Sequence, residues 1–274
     1  MSFVDIPNKK LKHPHYEHRT SKLDSKDNKF TREKFQIIRK YSTHKKILES
    51  FKRIGMCLNN KQVSEIPNEN ELDKVCFLLM NDYEDEDDEL GVGPLNDGYL
   101  IGSKEYRLGF KVFFLYNCSS QEFTNYLKYM IQNTKEILTV FYSGKKDPIS
   151  KGIQFTDGTI IKLETDLIIS KNCQYNQNRV IFITDCPCGG SVFKTKDCSN
   201  VISFSVKKKG KDETKAKKMT HGIATYYLCK FALDTPKMTP NQLIDQMNSS
   251  LSRFNEIFKC ELSCKDFGDN PIFE

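Results

Sequence analysis

Val180-Ile-Phe-Ile-Thr-Asp185-Cys-Pro187-Cys-Gly-Gly-Ser-Val192 is an apolar run that stops at an acid, two thiols, a proline and a glycine pair. Successive large apolar residues with no polar alternation read as a strand buried on both faces. The Asp, Cys, Pro and Gly residues after it read as a loop. Loops held at strand ends are where α/β proteins place their chemistry.

Outward from this stretch the same texture recurs. Strands are expected at 75–80, 111–116, 137–142, 179–184 and 201–206. Helices are expected near 96–107, 120–134, 164–171, 220–233 and 239–257. Strands too apolar to keep a wet face, alternating with helices, predict a mainly parallel sheet in a three-layer α/β/α domain. In such a sheet the site forms at the carboxyl ends of the strands. Asp157-Gly158 between apolar residues of 152–162 predicts a short hairpin.

The charge of the 274 residues is +6, and its placement matters more than its size. Residues 1–60 hold 15 Lys/Arg against 6 Asp/Glu, leaving 27 against 30 for the rest. Residues 1–30 carry too few large apolar groups to offset the entropy of ordering and read as a basic arm. From Thr31 the spacing of Phe35, Ile37, Ile38, Tyr41, Ile47, Leu48, Phe51 and Ile54 predicts one or two amphipathic helices. The division expected is an arm with helices over 1–65 and an α/β domain over 66–274. No apolar run approaches the roughly 18 residues of a membrane span, and the N-terminus lacks the pattern of a signal peptide. The chain reads as soluble and cytoplasmic, with no membrane partner.

Ten cysteines scattered through apolar segments read as reduced thiols. Cys186-Pro187-Cys188 is too tightly spaced for a zinc knuckle, and Cys260 with Cys264 has no matching pair. His13, His15 and His18 lie in the arm without a rigid frame, and read as polar contacts. The acidic run 84–89 has the oxygens for a cation such as calcium but reads as a solvated loop. No metal and no cofactor are expected.

Several segments, in order, resemble the caspase-like cysteine peptidases, closer to the metacaspase and paracaspase branch than to animal caspases. Strand 75–80 with Leu90-Gly-Val-Gly-Pro-Leu-Asn96-Asp97 resembles the first strand and its Gly-x-x-Asn-Asp turn. Val140-Phe-Tyr-Ser-Gly144 resembles the strand ending in Tyr-Ser-Gly-His-Gly, and Asp185-Cys-Pro187-Cys-Gly-Gly190 is similar to Asp-x-Cys-His-Ser-Gly. Thr220-His-Gly-Ile-Ala-Thr-Tyr226 and Leu262 to Phe273 resemble later family segments. The likeness spans about residues 73–274.

The resemblance implies a Cys nucleophile activated by a His, as a weak thiol requires. Here Lys145 stands in place of the His and Pro187 in place of the Cys, with Cys186 and Cys188 as flanking thiols. Acidic residues that would hold a basic substrate side chain are expected after strand 201–206, where this chain has Lys207, Lys208 and Lys209 instead. The expectation is a catalytically inactive caspase-like protein serving as a structural or adaptor subunit, with no small-molecule substrate. Its partner surface would be acidic, met by Lys9, Lys10, Lys12, Arg19, Arg39, Lys40 and Lys207–Lys209. A cytoskeletal polymer fits that chemistry, and RNA is the second class of partner. The alternatives are an active endopeptidase cleaving after Arg or Lys through Cys186 or Cys188, and a regulator of an active homologue.

Overall fold

Six of the seven residues in Lys74–Met80 are apolar and buried, so this strand needs cover on both faces. The computed structural model supplies it. It describes residues 44–66, 72–83, 90–147, 149–150, 152–162, 178–186, 201–208, 223–235, 237–252, 256–262 and 269–273. In chain order the elements are helix α1 (His44–Phe51), strands β1 (Gly55–Cys57) and β2 (Lys74–Met80), helix α2 (Gly93–Arg107), strand β3 (Lys111–Tyr116) and helix α3 (Ser120–Asn133). There follow β4 (Ile137–Ser143), the short β5 (Ile153–Gln154) and β6 (Ile160–Ile161), β7 (Arg179–Asp185), β8 (Val201–Lys208), α4 (Ile223–Leu228), α5 (Pro240–Leu251) and β9 (Glu256–Leu262).

Seven strands form one sheet in the order β1-β3-β2-β4-β7-β8-β9. All neighbours are parallel except β9, which runs antiparallel to β8. Alternation along each strand divides the apolar residues between two cores. Cys76, Leu78 and Met80 face α1, α2, α4 and α5, whose Phe51, Leu95, Ile101, Leu228, Leu243 and Met247 close one layer. Val75, Phe77 and Leu79 face α3, whose Phe123, Leu127, Met130 and Ile131 close the other. This is the expected three-layer α/β/α arrangement with a mainly parallel sheet.

Residues 44–65, assigned from sequence to the segment before the domain, pack with the sheet. Ile47 and Phe51 of α1 are fully buried in the first core, and β1 extends the sheet edge by pairing with β3. Apolar burial of about 1.5–3 kcal/mol per large side chain holds them there. The five strands expected from sequence are present, as is the hairpin, in which Ile153 pairs with Ile161.

Two boundaries move. Helix α2 begins at Gly93 rather than 96, because Pro94 suits a helix's first turn. The segment 239–257 does not stay helical to its end. Helix α5 closes at Leu251, and β9 starts at Glu256 because its backbone is claimed by the edge of β8. The helix expected at 164–171 lies outside the described residues. Among the described residues no helix is long and apolar enough to cross a membrane.

Candidate functional site

The parallel register brings the carboxyl ends of four strands to one edge. Met80 stands beside both Tyr116 and Ser143, and Ser143 stands beside Asp185. Asn81-Asp82-Tyr83, Asn117, Gly144-Lys145-Lys146 and Cys186 therefore emerge together. Of the residues singled out by the resemblance, Lys145 and Cys186 emerge at this edge.

At the end of β4 the Tyr142-Ser143-Gly144 turn folds over its own tyrosine. A side chain at 144 would meet Tyr142 Oη at 2.6 Å, so only glycine fits there. The Tyr142 hydroxyl donates to the Lys145 carbonyl, and the Lys145 N–H donates to Tyr83 Oη at 3.0 Å. Tyr83 in turn donates to the Gln154 carbonyl at 2.6 Å. Burial pushes the Tyr83 and Tyr142 phenols up, so both remain neutral donors at ordinary pH.

This frame sets the side chain of Lys145. Its ammonium lies 4.0 Å from the centroid of the Tyr83 ring, and the residue is 9 % exposed. A cation over a shielded aromatic face is worth about 1–2 kcal/mol. Tyr83 reaches that position with φ of 60°, a left-handed conformation that is strained for an aromatic residue. The position where the resemblance expects an imidazole thus carries a lysine laid across a tyrosine ring.

The end of β7 splits between the two layers. Asp185 accepts from the Thr225 hydroxyl at 2.5 Å and the Thr225 N–H at 3.3 Å, both from α4. Cys186, the next residue, is buried in the opposite core with Phe155 and Tyr142. Pro187, Cys188 and Lys209 lie outside the described residues, as do Lys9, Lys10, Lys12, Arg19, Arg39 and Lys40, the acidic run 84–89 and His221. Lys207 and Lys208, expected at the start of a loop, are the last residues of β8 and pair with Ile257 and Glu256 of β9. The antiparallel partner prolongs the ladder past the apolar residues.

A second polar cluster sits at the ends of β2 and β3. Asp82 is fully buried, and His44 Nε2 approaches its Oδ2 at 2.5 Å. Tyr116 Oη and Asn117 Nδ2 each donate to this carboxylate at 2.7 Å. Burial alone would raise the Asp82 carboxyl, but these three donors outweigh it and hold it below the usual carboxylate value. His44 faces a carboxylate here, two strands from β7 and therefore about 10 Å across the sheet from Cys186. The cluster was not read from sequence, because His44 was grouped with the arm. The polar triplet directly after an apolar strand, Asn81-Asp82-Tyr83, was the available signal.

Helix α2 packs on the end of β2, where Gly98 approaches the Met80 side chain. Asn96 and Ser143 are buried, and neither side chain has a hydrogen-bond partner. Among the described residues no group of three or more His, Cys, Asp or Glu is arranged to hold a metal, and Cys57, Cys76, Cys118, Cys186 and Cys229 are free thiols.

No protein-family model matches the sequence, and no curated protein does. Solved structures do match. The Drosophila initiator caspase Dronc superimposes with a TM-score of 0.52 at 12% identity, over 74% of this chain and 84% of that one. Caspase-1 from Spodoptera frugiperda gives a TM-score of 0.49 at 9% identity, over 73% of this chain and 92% of that one. At such identity the likeness concerns architecture, and it rests on the first of the two. The seven-stranded sheet, with its helical layers and its polar residues gathered at the carboxyl ends of β2, β4 and β7, is a caspase-like fold.

Proposed function

We propose that this caspase-like chain works by binding rather than by turnover, as a structural or adaptor subunit of a larger assembly. The observation that carries the reading is Lys145. It follows Tyr142-Ser143-Gly144 where a general base is expected, and its cation is committed to the Tyr83 ring. A lysine laid across an aromatic ring is not the imidazole base with which a weak thiol is activated. Cys186 points into an apolar core, which also fits poorly with attack on a peptide bond.

The partner proposed is an acidic protein surface in the cytoplasm, of the kind a cytoskeletal polymer presents, met by Lys9, Lys10, Lys12, Arg19, Arg39 and Lys40 together with Lys207–Lys209. The support is the charge balance of the first 60 residues.

Two measurements test the reading. The protein is incubated with peptide amides ending in Arg, Lys or Asp and with a thiol-directed peptide inhibitor. No cleavage and no labelling are expected, whereas cleavage lost on Cys186→Ala or Cys188→Ala would replace the reading with a divergent peptidase. Affinity purification then compares the intact chain with one lacking residues 1–43. The cut is placed there because α1 and β1 are part of the packed sheet. Acidic protein partners should be lost on truncation, and partners that persist, or are released by ribonuclease, would refute the proposed anchor.

A further inference from the structure

Helix α2 carries an acid into the interior. Glu105, two residues before the helix ends, is 0 % exposed, and neither carboxyl oxygen has a hydrogen-bond partner. The groups facing it are the Cys76 thiol on β2, the Thr139 hydroxyl on β4 and the Cys229 thiol in the π-helical segment Cys229–Leu233 that continues α4. Thr139 Oγ1 is also buried without a partner. Burial pushes both thiols well up, so they stay neutral beside it. The charges around Cys229 are Lys104, Asp234 and Asp97. Lys104, the adjacent cation, is engaged with Asp234 near the surface. Among the described residues no cation pairs with Glu105.

An ionised carboxylate in that position has no counter-ion among the described residues and faces only neutral, weak donors, the Cys76 thiol and the Thr139 hydroxyl, which is a costly state for a buried charge. The neutral acid is different, because its proton can be given to the Thr139 hydroxyl oxygen. Burial accordingly raises the Glu105 carboxyl to about 8, against weaker lowering by Cys76 and Thr139.

We propose that Glu105 is a proton-binding site that makes the seating of helix α2 on the sheet depend on pH. The same helix buries Asn96 and Asp97 in its first turns and packs against α1, so the start of α2 and helix α1 are held more firmly in acid than in alkali. The direction follows from linkage. The folded chain keeps a proton that the unfolded chain releases above its ordinary carboxyl value of 4.5, so the contribution is complete below 4.5, falls as pH rises and is gone above about 8. Within that window the folding equilibrium loses up to about tenfold per pH unit from this one group. The inference stands whether or not the chain turns over peptides.

The test is urea unfolding of the full chain at pH 6, 7, 8 and 9, for the wild type and Glu105→Gln. The wild-type folding constant, divided by that of the variant, should fall about tenfold between pH 6 and 7 and level off by pH 9. Parallel profiles for the two proteins would overturn the proposal. Should Glu105→Gln fail to fold, Glu105→Leu takes its place in the comparison. The infrared spectrum of the wild type provides an independent reading. A protonated-carboxyl band at neutral pH that disappears by about pH 9 supports the site, and its absence at neutral pH refutes it. Hydrogen exchange completes the test. After correction for intrinsic base catalysis, the amides of α2 should lose protection with rising pH in the wild type and keep it in the variant. Protection that is independent of pH in both would sever the proton from the helix.

Discussion

Helices α2 and α3 lie on opposite faces of the same sheet and differ in almost every respect that governs stability. Helix α3 starts with a full capping box. Ser119 Oγ accepts from the Glu122 N–H at 3.2 Å, while the Glu122 carboxylate accepts from the Ser119 N–H at 3.0 Å. The face it buries is apolar: Phe123, Tyr126, Leu127, Met130 and Ile131. Helix α2 starts at Val92 with no side-chain cap, and it buries Asn96, Asp97, Gly98 and Glu105 beside Leu95 and Ile101. One helix is built to hold the sheet. The other accepts polar burial and lost caps beside the strand-end corner, the pattern expected where a fold spends stability on a site.

The comparison breaks most visibly on the side of α3. Phe123 is 1 % exposed, stacks on Phe77 at 5.9 Å and packs on Phe155 at 5.4 Å. Phe123→Ala should cost about 3–5 kcal/mol in denaturant unfolding, from lost transfer energy plus a cavity. A cost below about 1 kcal/mol would show that the two faces are not unequal after all. On α2 the corresponding weak point is close approach rather than bulk. A Cβ at Gly98 would lie 2.1 Å from Met80 Sδ, which only side-chain movement can relieve. Gly98→Val should destabilise by about 1–3 kcal/mol, with the largest chemical-shift changes at Met80 and at the start of α2. Smallest is the cap: Ser119→Ala should remove about 1 kcal/mol and expose the first-turn amides of α3 to exchange, while leaving α2 unchanged. If α2 loosens equally, the two helices are one cooperative unit and the contrast between them disappears.

Much of the sheet was legible in the sequence because parallel central strands must be apolar on both faces. Val75–Met80, Val112–Leu115 and Val180–Ile183 announce themselves without any partner being known. The edge was less legible. Lys207 and Lys208 read as loop because their side chains are polar, yet they are strand residues. The end of α5 was overrun because helical periodicity cannot report that Glu256 is captured by β8. The candidate site divides in the same way. Lys145 was visible beside Tyr142-Ser143-Gly144, whereas nothing in the sequence connected it to Tyr83, whose ring receives its cation.

By itself the amino-acid sequence determined which segments must be buried, hence an α/β sheet with its site at the carboxyl ends of the strands. That burial is a property of local pattern, readable from neighbours in the chain, whereas the expectation that Lys145 and Pro187 replace an imidazole and a thiol came only from the resemblance to caspase-like peptidases. Only the tertiary structure decided that His44 meets Asp82, 38 positions away, that Lys145 lies over Tyr83 and that Glu105 points inward. Nothing in its flanking residues separates Glu105 from the other 35 acids of the chain. Its character comes from the desolvation imposed by β2, β4 and the π-helical segment that continues α4, which exists only once those elements have packed.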